Sequence, residues 1–148
     1  MPTHIDSPLG FTADFPEFTE LMTESTAGPN TEQYGLLGGI LVTVIDDGQS
    51  VDSPAGANAW AHIKSDYYLN ERGGSILAEG ELQLPGKATY AVVTGYLDAD
   101  GAAKSAATVG VWENNRFLGI VVIWPVVNPE VEPRIDLLKE IVGAVSVG

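Results

Sequence analysis

The sequence contains no cysteine, so a disulfide framework, a thiolate nucleophile and any cysteine-ligated zinc or iron–sulfur site are excluded. That absence suits either redox regime and leaves the compartment open. Basic residues are scarce: seven Lys and Arg stand against twenty Asp and Glu, a formal charge of -13. Such a field repels phosphate backbones and anionic lipid while attracting basic partners, so nucleic acid is a poor expectation. Long apolar runs are missing too. The longest, 34–45 and 117–127, fall well short of the roughly 20 residues that a membrane-spanning helix needs, and no span is expected. The segment 1–8 has no basic stretch followed by an apolar one, so no signal peptide is visible and the chain as quoted reads as cytoplasmic. An exported form with its signal trimmed would read the same.

What is present is core material. At 148 residues, 45% hydrophobic and 18% charged, the chain has the size and composition of one folded domain, expected to cover residues 1–148. Residues 10–16 alternate large apolar with small or polar side chains and end at Pro16, the pattern of a short edge strand. A second strand is expected over 18–26, before a turn at Gly28-Pro29-Asn30. From Gln33 to Ile45 the residues are aliphatic, β-branched or glycine, which reads as extended structure bent at Gly38-Gly39. A buried helix is the alternative, and the glycines argue against it.

Asp52-Ser53-Pro54 carries a capping oxygen and then proline at the first helical position, and Gly73-Gly74 supplies a stop, so a helix is expected over 53–72. Ala59, Trp60, Ile63 and Tyr67 recur at helical spacing as its buried face, with Tyr68 and Leu69 off the stripe. Four strands follow between Ile76 and Trp124, separated by Pro85-Gly86, by Asp98-Ala99-Asp100-Gly101 and by Asn114-Asn115. Links this short permit only antiparallel neighbours. In the last strand Phe117, Gly119, Val121 and Ile123 face one side and Leu118, Ile120, Val122 and Trp124 the other, so both faces are apolar and both need cover. Gly95, Ala106, Ala107 and Gly110 let the covering elements approach closely. A second amphipathic helix over 134–145, with Ile135, Leu138, Ile141, Val142 and Val145 on one stripe, supplies the second cover. The expected class is α+β: an antiparallel sheet of five to seven strands with one helix on each face.

This order, with Gly10-Phe11 leading to Phe15-Pro16, a helix ending in Gly73-Gly74, an Asp-Gly turn in the meander and a C-terminal amphipathic helix, resembles the PsbP-like α/β/α sandwich superfamily. The resemblance covers nearly the whole chain. Members include a photosystem II subunit, a Ran-binding import factor, LpqN-type bacterial lipoproteins and Eag-type secretion chaperones. It implies a binding, accessory or chaperone role, since these members share no catalytic motif to transfer. The lipidation cysteine of the lipoprotein branch is absent here.

No chemical constellation stands out. His62 lies four residues before Asp66 on one helix side, half a metal site at most, and His4 sits in an N-terminus expected to be loose. Ser65, Ser75 and Ser105 lack a Gly-x-Ser-x-Gly elbow. Glu79 and Glu81 share one strand face, a pairing that solvated edge charges explain. Asp98-Ala99-Asp100-Gly101 has the start of a calcium loop without its closing glutamate, and reads as a hairpin turn. No catalytic residue, metal or cofactor is expected. The candidate binding residues are Trp112 and Arg116, which flank the Asn-Asn turn, where an exposed indole beside a guanidinium would be a recognition feature. The alternative is a tryptophan buried under a helix with Arg116 exposed alone. The expected function is a non-enzymatic protein-binding module with a protein partner or a second copy of itself; the alternative is a small-molecule-binding or catalytic domain, and a cavity of a few hundred cubic ångströms with converging polar groups of perturbed pKa would favour the enzyme reading.

Overall fold

The computed structural model describes residues 3–7, 9–15, 18–21, 30–36, 38–46, 51–126 and 134–147. In chain order the elements are β1 (Thr3–Asp6), β2 (Phe11–Phe15), β3 (Phe18–Leu21), β4 (Thr31–Leu36), β5 (Ile40–Ile45), α1 (Pro54–Asp66), a π-helical turn (Tyr67–Glu71), β6 (Ser75–Gly80), β7 (Ala88–Leu97), β8 (Ala103–Glu113), β9 (Arg116–Pro125), α2 (Ile135–Gly143) and β10 (Val145–Val147). Seven strands form one sheet in the order β3-β4-β5-β9-β8-β7-β6, and β1-β2-β10 form a second. Every pairing is antiparallel. The α+β class, an antiparallel sheet within the expected five to seven strands and the helix on each face are as the sequence led us to expect; the separate three-stranded sheet is not.

The meander closes through Asn114 and Asn115, whose φ values of 55° and 58° are those of a two-residue type I′ hairpin. β9 then presents Phe117 and Val121 to α1, and Leu118, Ile120, Val122 and Trp124 to the larger core on the opposite face. Two-sided burial of this strand fixes the layering.

On the first face, Ser53 Oγ accepts from the Gly56 N–H at 3.1 Å and starts α1, while Gly73, at φ 64°, ends the helical run. The helix lies unusually close to the sheet. A Cβ on Gly110 would overlap the Ala57 carbonyl, and one on Gly119 would overlap the Trp60 indole. Thr108 Oγ1 donates to the Ala61 carbonyl at 2.8 Å across the same interface.

That closeness overturns the expected helix stripe. The buried residues are Ala57, Trp60, Ala61 and Ser65, whereas Ala59 is exposed and Ile63 and Tyr67 are 65% and 50% exposed. Backbone approach at Gly110 and Gly119 leaves room for methyl groups and one flat indole, so small residues win the inner face over larger aliphatic ones. Tyr68 also departs from expectation. The π-helical turn shifts its register inward, and its ring rests 4.9 Å from that of Tyr96, where burial pushes its phenol up to about 12.

The second face is covered by α2 together with the small sheet. Leu138, Ile141 and Val142 of α2 join Phe11, Ala13 and Phe15 of β2 and Val145 and Val147 of β10 in one core. The expected edge strand is therefore a central one: β2 lies between β1 and β10. Its second neighbour, β10, begins at Val145, the residue at which the α2 segment was expected to end. The 33–45 segment is a β4–β5 hairpin and not a bent strand, since Gly38 and Gly39 at φ 91° and 76° reverse the chain. β3 matches the start of the strand expected over 18–26, and 22–29 lie outside the described residues.

Candidate functional site

The clearest concave feature lies at the end of the meander where β7 turns into β8. Asp98 Oδ1 accepts from the Asp100 and Ala102 N–H groups, each at 2.9 Å, which fixes a tight turn. The Ala102 bond, aided by the Asp100 bond and by Lys104, holds this carboxyl below the usual carboxylate range. The turn sets Gly95 opposite Ser105 and Leu97 opposite Ala103. Leu77, at the register shift in β6, leans over Gly95, where a Cβ would meet its Cδ1 at 3.2 Å.

The result is a cavity of about 400 Å³. Leu77, Leu97 and Val126 supply branched apolar surface, and Gly95, Ala103 and Ser105 supply small surface. Arg72, Tyr96 and Lys104 border it, the Tyr96 and Lys104 side chains lying on the sheet face opposite Gly95, Leu97, Ala103 and Ser105. Leu77 and Leu97 are 42% and 57% exposed, so the apolar lining is open to solvent. The Ser105 hydroxyl is buried and has no hydrogen-bond partner among the described residues. Leaving such a group unpaired costs about 1–3 kcal/mol unless water or a ligand completes it. Burial raises the Tyr96 phenol above its ordinary value. Among the described lining residues there is no carboxylate or histidine.

The residues singled out from sequence fall elsewhere. Trp112 is half-buried on the α1 face, packed against the Trp60–Phe117 cluster, and lines a hollow of about 350 Å³ with Lys87, Glu113 and Asn114. Arg116 turns to the opposite face, donating to the carbonyls of Leu9 and Gly10 and to Asp46. The structure does not bring the two together. His62 Nε2 stands 3.3 Å from Glu79 Oε2, with its ring 5.4 Å from that of Tyr90. Glu81 falls beyond the end of β6, so it does not share a strand face with Glu79. His4 is held in β1 rather than loose: its Nδ1 meets Asp14 Oδ1 across the strands at 2.9 Å. Among the described residues no group of three or more such side chains is arranged to hold a metal ion, and no helix is long and apolar enough to cross a membrane.

The groove was not foreseen. Gly95 was recognised as a close-approach position, but pairing it with Leu77 depends on the irregular register of β6, which local pattern does not encode. An aliphatic residue directly before the Asp98 turn, Leu97, was the available signal.

No family model matches the sequence. No curated protein is similar to it in sequence. Solved structures do share its shape. A protein from Bacteroides thetaiotaomicron VPI-5482 superposes with a TM-score of 0.59 at 10% identity, over 99% of this chain and 48% of that one. This chain thus spans about half the length of that protein. LpqN of Mycobacterium tuberculosis, described as involved in cell envelope biogenesis, superposes with a TM-score of 0.54 at 16% identity, over 99% of this chain and 89% of LpqN. At these identities the likeness is one of fold.

Proposed function

We propose that this chain is a non-enzymatic binding module whose ligand is held in the Leu77–Leu97 groove. The observation that carries the reading is the groove's chemistry: exposed aliphatic surface around a volume of about 400 Å³, within the usual range of small-molecule sites. Its polar groups are suited to orienting a ligand. A protein partner or homodimer, the leading expectation from sequence, calls for a broad apolar face. The exposed large hydrophobics among the described residues are Ile63 of α1, Tyr67 of the π-helical turn, Ile76 and Leu77 of β6 and Leu97 of β7; two of them, Leu77 and Leu97, line the groove, and this favours a smaller guest.

The resemblance to the PsbP-like superfamily, whose named members act by binding, supports the same reading. LpqN, which shares the fold, is involved in cell envelope biogenesis; a binding module would suit such a setting, and an exported placement would go with it. The test is a neutral hydrophobic dye titrated into the native chain and into a Leu77→Asp/Leu97→Asp variant with matching circular dichroism. Saturable dye binding that the variant loses is the expected result. Binding that survives both substitutions would place the apolar site elsewhere and sink the assignment.

A further inference from the structure

Resting on the binding-module reading, we infer that the groove takes a medium-length acyl chain ending in a carboxylate. Lining residues come from β6, β7 and β8 in sequence across the sheet, and from Val126 just after β9. Neighbouring strands lie ~4.8 Å apart, so three spacings give roughly 14 Å, the extended length of about ten to twelve carbons. The small residues Gly95, Ala103 and Ser105 leave that track open, and Leu77 and Leu97 flank it.

The charge of the head group follows from the basic residues. The chain has only seven Lys and Arg against twenty acids, yet two of the seven, Arg72 and Lys104, line this one cavity. Lys104 is occupied, its Nζ 3.4 Å from Asp98 Oδ2. Arg72 donates to the neutral Tyr67 hydroxyl at 3.3 Å and feels the Asp98 charge, and among the described residues it forms no direct ion pair. An exposed guanidinium fork of this kind accepts a planar carboxylate on two N–H groups. The Ser105 hydroxyl lines the same cavity two strands away from β6 and has no partner among the described residues, so a water held beside the acyl chain would supply its hydrogen bond.

Calorimetric titration with hexanoate, octanoate, decanoate and decanol tests this. Affinity is expected to rise about three- to fourfold per methylene along the carboxylates, the increment for burying one CH₂. Decanol should bind about tenfold more weakly than decanoate, the loss of one charge-assisted contact. Arg72→Gln, at an exposed position where folding is not at stake, should bring the two together, while Leu97→Asp weakens both. Equal binding of decanol and decanoate by the native chain overturns the proposal. So does the lack of saturable decanoate binding by a protein that still takes up the neutral dye, an outcome that leaves the binding-module reading standing. Failure with dye and decanoate alike removes both.

Discussion

Arg116 Nη1 donates to the Gly10 carbonyl oxygen at 3.0 Å. The same guanidinium donates to the Leu9 carbonyl and lies 3.3 Å from Asp46 Oδ2, so one side chain ties the β1–β2 connection to the end of β5. Gly10 makes this possible: its φ is 90°, and a Cβ there would overlap Arg116 Nη1. Arg116→Ala is expected to cost about 2 kcal/mol in urea denaturation, below the value for a fully buried charge because the head is partly exposed. Arg116→Lys should recover less than half, since one ammonium does not span three acceptors. A loss of Arg116 that leaves stability within about 0.5 kcal/mol would show the clamp to be ornamental.

The approach of α1 to the sheet makes a sharper demand. Gly110→Ala puts a methyl into the Ala57 carbonyl, and helix backbone has no rotamer by which to yield. Overpacking of this kind costs about 1–3 kcal/mol, and a backbone neighbour argues for the upper end or beyond. Ala59→Ser, on the exposed side of the same helix, should stay within about 0.5 kcal/mol. Thermal unfolding of the two variants side by side checks the contrast, and near-equal midpoints would contradict the observed contact.

Which parts of the fold were legible follows from the reach of each signal. Asn114-Asn115, the Ser53-Pro54 cap and the two apolar faces of β9 are encoded within a few residues, and each is found where its pattern placed it. The inner face of α1 is not legible locally because it depends on Gly110 and Gly119, about fifty residues away, which select Ala57 and Ala61 over Ile63. β2 was placed at an edge because its second neighbour is the three-residue β10, too short to carry a period. The groove needed the pairing of Leu77 with Gly95, a contact set by a register shift. Trp112 and Arg116, four residues apart around a hairpin, fall on opposite faces, which strand alternation and the paired register 112 with 117 account for.

The N-terminal strand carries a pH-dependent contact. His4 is raised above its ordinary 6.5 by the hydrogen bond to Asp14, then by the charges of Asp14 and Asp6. Folding favours the protonated ring. Its contribution is therefore present in full below pH 6.5 and is lost as the pH rises through the elevated folded value. Proton NMR of the His4 ring should give a midpoint above 6.5 in the native chain and a lower one in Asp14→Asn. A midpoint that Asp14→Asn leaves unmoved would assign the shift to some other group.

The last strand is held by side chains where a neighbouring strand is lacking. β10 is terminal in its sheet, which leaves one row of its backbone groups without a strand partner. Glu113 Oε1 accepts from the Val147 N–H at 2.8 Å, Asn114 Nδ2 donates to the Val147 carbonyl at 2.7 Å, and Lys87 Nζ donates to the Val145 carbonyl. Lys87 is nearly buried, its side chain 6% exposed, and its ammonium lies 3.8 Å from Glu113 Oε1. Glu113→Ala therefore removes both an acceptor and the counter-charge of a buried cation, for an expected loss of about 3 kcal/mol. Glu113→Gln keeps an oxygen for Val147 and loses only the charge. Amide hydrogen exchange separates these effects, because the Val147 amide should lose more protection in Glu113→Ala than the central Val109 amide does, whereas in Glu113→Gln the two should fall together. If Val147 and Val109 lose protection equally in Glu113→Ala, the strand opens only with the whole fold, and the side chains are not what holds it.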